Sequence, residues 1–243
     1  DAMTPTLQRS LTGLLPTTDL PLEVNAAAFA VPGSNKSVVT LAVGVGAFVS
    51  SSAGVASATQ AVPLEVVASA FDLGGRPKGI ARQTVDLSWP QSATATEPRF
   101  DALSRLDLPP GEYEIRVGVT GGAPARTASV FSYVTVPAFD GAPLSLSNIV
   151  LGAAGATLTA PKDFLADVLP IVPPPRRDFA TGDSLVGFLR IYQGTRRGDA
   201  LMPVQLRSSV LDAQGKVVAG QSSTLTAAQF ETNRSADHYL LLP

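Results

Sequence analysis

Apolar and polar residues alternate along most of the chain, which is the period of a half-buried β-strand. The segment Ser37–Val49 has an apolar side chain at every second position, and Glu112–Val119 alternates apolar residues with charged ones. Residues 1–20 depart from this period, because their leucines recur at helical spacing. They predict one short helix that ends before Pro16.

Turn residues divide the alternating pattern into short strands. Gly74-Gly75-Arg76-Pro77 separates two strands that predict a hairpin, and Pro109-Pro110-Gly111 turns the chain into the next strand. We predict about seven strands between Pro21 and Val136, the strand density of an immunoglobulin-like or fibronectin-like sandwich. The fold class expected is all-β.

The most informative feature is an internal repeat. Pro63–Asp72 resembles Pro203–Asp212, and the offset of 140 residues also carries Gly75 onto Gly215. Aspartate followed three residues later by glycine is turn chemistry, since the carboxylate binds nearby N–H groups and glycine adopts positive φ.

Further on, Leu108-Pro109 corresponds to Leu242-Pro243, but only the first copy continues, through Pro110–Val136. We therefore expect the second of two tandem sandwiches to lack its last two strands and to expose an unpaired edge. Either the natural polypeptide continues past Pro243 and supplies these strands, or another segment fills the gap, and a partner protein could add a strand at that edge.

The Pro- and Gly-containing segment Pro137–Pro143 is the best candidate boundary. We predict a linker or short helix over 1–20, the first sandwich over 21–137, a stiff linker over 138–143 and the truncated second sandwich over 144–243. The irregular stretch Ala153–Thr181, which contains three successive prolines, is expected to be a long loop.

Composition narrows the function classes. The chain of 243 residues has 45% hydrophobic residues, a formal net charge of −2 and no cysteine. The hydrophobic fraction is sufficient for a folded core. The absence of cysteine excludes disulfides and thiolate metal sites. No basic stripe that would bind nucleic acid is visible. No apolar run is long enough to insert into a membrane, and the segment Asp1–Thr4 is not a signal peptide. It suggests a fragment of a longer polypeptide with a domain upstream.

Three segments carry a family resemblance: Leu108–Val117, Ser129–Pro137 and Ala142–Leu151. Together they resemble the C-terminal region of bacterial proteins, common in acidobacteria, that carry a von Willebrand factor type A-related domain upstream. The type A domain and its Asp-x-Ser-x-Ser metal-adhesion motif are absent here, so metal-dependent adhesion is not carried over. The resemblance implies an extracytoplasmic, periplasmic or secreted, location.

Gly182-Asp183-Ser184-Leu185 matches the signature of the GDSL esterases, and His238, the single histidine, follows Asp237 near the end of the chain. An esterase using Ser184 is therefore one alternative. The all-β context and the absence of the Asp-x-x-His motif of that family favour a turn leading into a strand instead.

Other motifs also have ordinary explanations. Arg197-Gly198-Asp199 is the tripeptide that integrins recognise, yet its residues are common in turns. The aspartates that fall in predicted loops lack the Asp-x-Asp-x-Asp spacing of a calcium loop, and they are Asp140, Asp178, Asp183 and Asp199. Gly44-x-Gly46 lacks the third glycine of a dinucleotide site.

Trp89 and Tyr192 are the candidate ligand-binding residues, since an exposed aromatic row could stack against sugars; core packing is the competing interpretation. No catalytic residue, metal site or cofactor is predicted. The sequence thus predicts a non-catalytic structural or protein-interaction module of a larger exported bacterial protein. A carbohydrate-binding sandwich is the alternative.

Overall fold

The computed structural model describes residues 3–31, 36–46, 62–87, 99–122, 125–153, 165, 168–171, 173–175, 177–179, 182–194 and 199–242. Their secondary structure is almost entirely antiparallel strand, with one short α-helix and one 3-10 helix. The all-β sandwich predicted from the sequence is confirmed. None of the described helices has the length and apolarity needed to cross a membrane.

The first sandwich contains seven strands in two sheets, and one sheet has the order β1-β2-β5 while the other has β4-β3-β6-β7. Alternate residues of both sheets meet in one apolar core. The strands are β1 (Leu22–Ala30), β2 (Ser37–Gly46), β3 (Val62–Asp72), β4 (Pro77–Leu87), β5 (Arg99–Leu108), β6 (Gly111–Gly121) and β7 (Arg126–Val136).

The predicted N-terminal helix is α1 (Pro5–Thr12), and it packs on the outer face of the four-stranded sheet. Leu7 and Leu11 contact Val67 of β3, and they lie against Gly118 of β6, where a Cβ would come within 2.7 Å of Leu7. The guanidinium of Arg116 donates hydrogen bonds to the carbonyls of Leu11 and Gly13, so it satisfies free acceptors at the end of the helix. Residues 1–20 thus include an element docked on the first sandwich.

The described part of the second unit contains six strands, which are β8 (Leu144–Leu146), β9 (Val150–Ala153), β10 (Leu185–Gln193), β11 (Val204–Leu211), β12 (Val217–Leu225) and β13 (Ser235–Leu242). Its larger sheet has β10 in the centre, with β13 on one side and both β8 and β9 on the other. A two-stranded sheet, β11-β12, faces it across a small core around Leu189, Ile191 and Phe230.

Strand pairing shows that the second unit repeats the first. In the first, β2 lies between β1 and β5, and in the second β10 lies between β8-β9 and β13. β1 pairs Leu22 with Val45 and Ala30 with Ser37, nine residues against nine. In the copy, ten residues, 144–153, oppose the nine residues 185–193, so one residue has been inserted. The insertion bulges out at residues 147–149 and splits the copy of β1 into β8 and β9.

The sheet β1-β2-β5 is covered on both faces. One face packs on β3 and β6, and the other packs on the second unit, where Phe29 and Val38 meet Val150 and Phe188. The rings of Phe29 and Phe188 stack with centroids 6.0 Å apart. All of β2 from Ser37 to Val45 is therefore buried. A strand buried on both faces is expected to be mostly apolar, and β2 carries no charged residue, while its buried Thr40 hydroxyl donates to the carbonyl of Ala27.

The predicted linker is anchored to both units. Phe139 is buried in the first core, and its ring lies 4.9 Å from that of Tyr192 on β10. The carbonyl of Pro143 accepts a hydrogen bond from the N–H of Gly194. Within the predicted long loop, the described residues Leu165, Val168 and Leu169 are buried against the first sandwich.

Candidate functional site

The structure does not bring the esterase-like residues together. Ser184 is exposed just before β10, whereas His238 lies opposite Leu189, five residues further along that strand. Five strand residues span about 17 Å, far beyond a hydrogen bond. Asp237, the third candidate, binds Arg190 instead, with Oδ1 and Oδ2 at 2.5 and 3.1 Å from the guanidinium. The geometry gives no support to an esterase that uses Ser184 and His238.

Of the two aromatic candidates for ligand binding, Tyr192 lies in the described part of the chain. Trp89 lies outside the described residues. Tyr192 is 6% exposed, and its hydroxyl accepts a hydrogen bond of 3.1 Å from the N–H of Ala30. Burial raises its pKa to about 12. Because both ring faces are enclosed, Tyr192 offers no surface on which a sugar could stack, so the expectation of an exposed aromatic ring at this position is wrong.

The loop motifs add no site within the described part of the chain. Arg197 and Gly198 lie outside it, and the carbonyl of Asp199 accepts a hydrogen bond from Arg234. Among the described side chains, no group of three or more histidines, aspartates and glutamates is arranged to hold a metal ion.

The repeated hairpins have the same turn. In the first, Asp72 Oδ1 accepts hydrogen bonds from the N–H groups of Gly74 and Arg76 at 3.0 and 2.9 Å. In the second, Asp212 Oδ1 accepts from Gln214 and Lys216 at the same two distances. The glycines Gly75 and Gly215 have φ of 77° and 79°. This identity of geometry confirms the residue correspondence and makes β11-β12 a copy of β3-β4.

The two hairpins differ in their neighbours. β3 is a central strand that pairs with β4 on one side and β6 on the other. β11 pairs only with β12 within the described ranges. One edge of β11 therefore carries N–H and C=O groups that no described strand pairs with, where its counterpart has a full ladder.

The side chains that face the core are also less buried on β11 than on β3. On β3 the inward side chains Leu64, Val66, Ala68 and Ala70 are 0–1% exposed. The corresponding side chains of β11 are all only half-buried, and they are Val204, Leu206, Ser208 and Val210. β11 thus has the burial of an edge strand although its counterpart is central.

Two polar atoms inside the second unit also lack partners. Ser223 lies opposite Leu206 on β12, and neither its Oγ nor His238 Nε2 has a hydrogen-bond partner among the described residues. His238 is 6% exposed, and desolvation lowers its pKa.

We define the acceptor groove as the free edge of β11 together with its half-buried inner face. The one-sided pairing of β11 among the described residues could be predicted from the repeat. The half-burial of the inner face could not, because it depends on which strands cover β11 and not on its own composition.

Comparison with known proteins gives no match. No protein-family model, no curated protein and no solved structure is similar to this chain.

Proposed function

We propose that this chain is a non-catalytic protein-interaction module of a larger exported bacterial protein, and that its second sandwich binds an extended strand of a partner protein in the acceptor groove. The observation that carries the proposal is that β11 pairs on one side only, within the described part of the chain, while its repeat partner β3 pairs on both.

Strand addition has a physical basis at this edge. An incoming strand would form main-chain hydrogen bonds with β11 and would cover Val204, Leu206 and Val210, which are half-buried. Burial of apolar surface contributes about 25 cal/mol per Å², so completing this face would add hydrophobic stabilisation to the hydrogen bonds.

The exported location rests on the resemblance to proteins with a von Willebrand type A-related domain. In such a protein, a sandwich that accepts a strand would join the upstream domain to another polypeptide. We also propose that both sandwiches are immunoglobulin-like.

The test is selection from a displayed library of 11-residue segments with alternating apolar and polar positions, followed by hydrogen exchange on the complex. We expect binders that slow amide exchange over Val204–Leu211. The edge strand β4, whose counterpart is β12, serves as the internal control, because binding should leave its exchange unchanged. Recovery of no binder, or protection elsewhere only, would overturn the proposal.

A further inference from the structure

In the first sandwich, β6 occupies the position beside β3 that no described strand occupies beside β11. β6 pairs antiparallel with β3 from Leu64–Gly121 to Asp72–Tyr113 without a register shift. Its inward side chains, Tyr113, Ile115, Val117 and Val119, are 0–4% exposed and complete the first core.

Resting on the proposed function, we infer that the acceptor groove binds a strand with the residue pattern of β6, antiparallel to β11, with a glycine opposite Val204 and an acidic residue opposite Arg207. The partner's apolar side chains then face the core of the second sandwich, opposite Leu206, Ser208 and Val210. The register, the glycine and the inward apolar positions follow from the 140-residue correspondence between β3 and β11, and the acidic residue follows from the charge of Arg207, which stands where β3 has Val67.

The glycine requirement comes from a close approach in the first sandwich. Gly121 lies opposite Leu64, and a Cβ on it would lie 2.8 Å from the carbonyl oxygen of Pro63. Pro203 precedes Val204 as Pro63 precedes Leu64. A backbone oxygen moves less easily than a side-chain end, so the same crowding is expected at this end of the groove.

The acidic residue comes from a difference between the copies. Val67 of β3 is covered by α1 and pairs with Gly118. Its counterpart Arg207 is exposed. A directly opposed pair of opposite charge stabilises an antiparallel sheet, and a like pair destabilises it. A glutamate at the position of Gly118 would therefore favour binding.

The probe is a labelled synthetic peptide with the sequence Gly111–Gly121 of this chain and the change Gly118→Glu, titrated against the intact protein by fluorescence anisotropy. We expect it to bind at least about twofold more tightly at low salt than the Gly118→Lys peptide, with the ratio shrinking at high salt. The additional change Gly121→Val should weaken binding. A peptide of the same composition in which the inward apolar residues and the outward polar residues are exchanged should not bind, because the pairing that aligns its ends with β11 puts its polar side chains inward.

Register can be mapped because the chain has no cysteine of its own. With cysteine at the Gly118 position of the peptide, we expect Arg207→Cys to form a disulfide faster than Gln205→Cys or Ser209→Cys, since directly opposed residues have the Cα separation that a disulfide needs. Ser222→Cys is the matched control, because Ser222 is exposed opposite Arg207 on β12. All four positions are exposed, so folding should be unaffected.

The outcomes separate the two proposals. Fastest cross-linking at another β11 position, or at Ser222→Cys, overturns the register. If library binders protect β11 but the β6-pattern peptides do not bind, this inference fails and the proposed function stands. If no segment of any pattern protects β11, both fail.

Discussion

Removal of the Asn148 side chain should destabilise the protein, because that side chain completes the free edge of β1. Asn148 Oδ1 accepts a hydrogen bond of 2.8 Å from the N–H of Ala28, which is 0% exposed. A buried donor left without a partner costs about 1–3 kcal/mol, so Asn148→Ala should lower the free energy of unfolding by about that amount.

The hydroxyl of Tyr192 forms a second contact with the edge of β1, and the losses of stability caused by removing the two contacts can be compared. Tyr192→Phe removes the acceptor for the N–H of Ala30, which is half-buried and can partly recover by binding water. We expect a loss of about 1 kcal/mol, no larger than that of Asn148→Ala. The two contacts are neighbours on one strand, so the double variant should deviate from additivity.

Urea unfolding followed by far-ultraviolet circular dichroism measures these changes as a shift of the midpoint at constant slope. Asn148→Asp is the matched control, since it keeps an acceptor oxygen at an exposed position and should stay within about 0.5 kcal/mol of the original protein. If Asn148→Ala is as stable as the original, or Asn148→Asp loses as much as alanine does, the edge contact does not stabilise the fold.

Two further predictions concern other contacts. Because burial lowers the pKa of His238, its folded pKa lies below the unfolded value of about 6.5, so the unfolded state binds the proton first and stability is lost as pH falls below that value. His238→Gln should flatten this loss in urea midpoints measured from pH 7.5 to 5, and an unchanged pH profile would contradict the assignment. Arg116 holds α1 through the carbonyls of Leu11 and Gly13, so Arg116→Ala should speed amide exchange in α1. Arg116→Lys should restore only part of the protection, because lysine lacks the planar fork, and full protection in the alanine variant would refute the role.

The repeat and its turns could be predicted from sequence because they depend on local chemistry. Asp212 and Gly215 specify the same hairpin as Asp72 and Gly75 wherever they occur. The strand bounds of the first sandwich followed for the same reason, since alternation and turn residues are local signals.

Contacts between distant segments could not be predicted in this way. Asn148 meets Ala28 across 120 residues of sequence, and no local pattern marks it. The burial of Tyr192 depends on Phe139 and on β1, which are distant in sequence, so the sequence does not distinguish a buried tyrosine from an exposed ligand-binding one at this position. A local signal does mark the second covered face: β2 has no charged residue on either side, which indicates that both sides are covered.

The doubly covered sheet has a consequence for dividing this polypeptide. A cut within 138–143, where the sequence suggests a boundary, would uncover Phe29, Val38 and Leu103 on one fragment and Val150 and Phe188 on the other. Each fragment would expose an apolar surface that is buried in the intact protein, so the two fragments produced separately are expected to aggregate or to reassociate. The two units are therefore expected to fold and to persist only together, because the face of β2 that a solitary sandwich would show to solvent carries no charged residue.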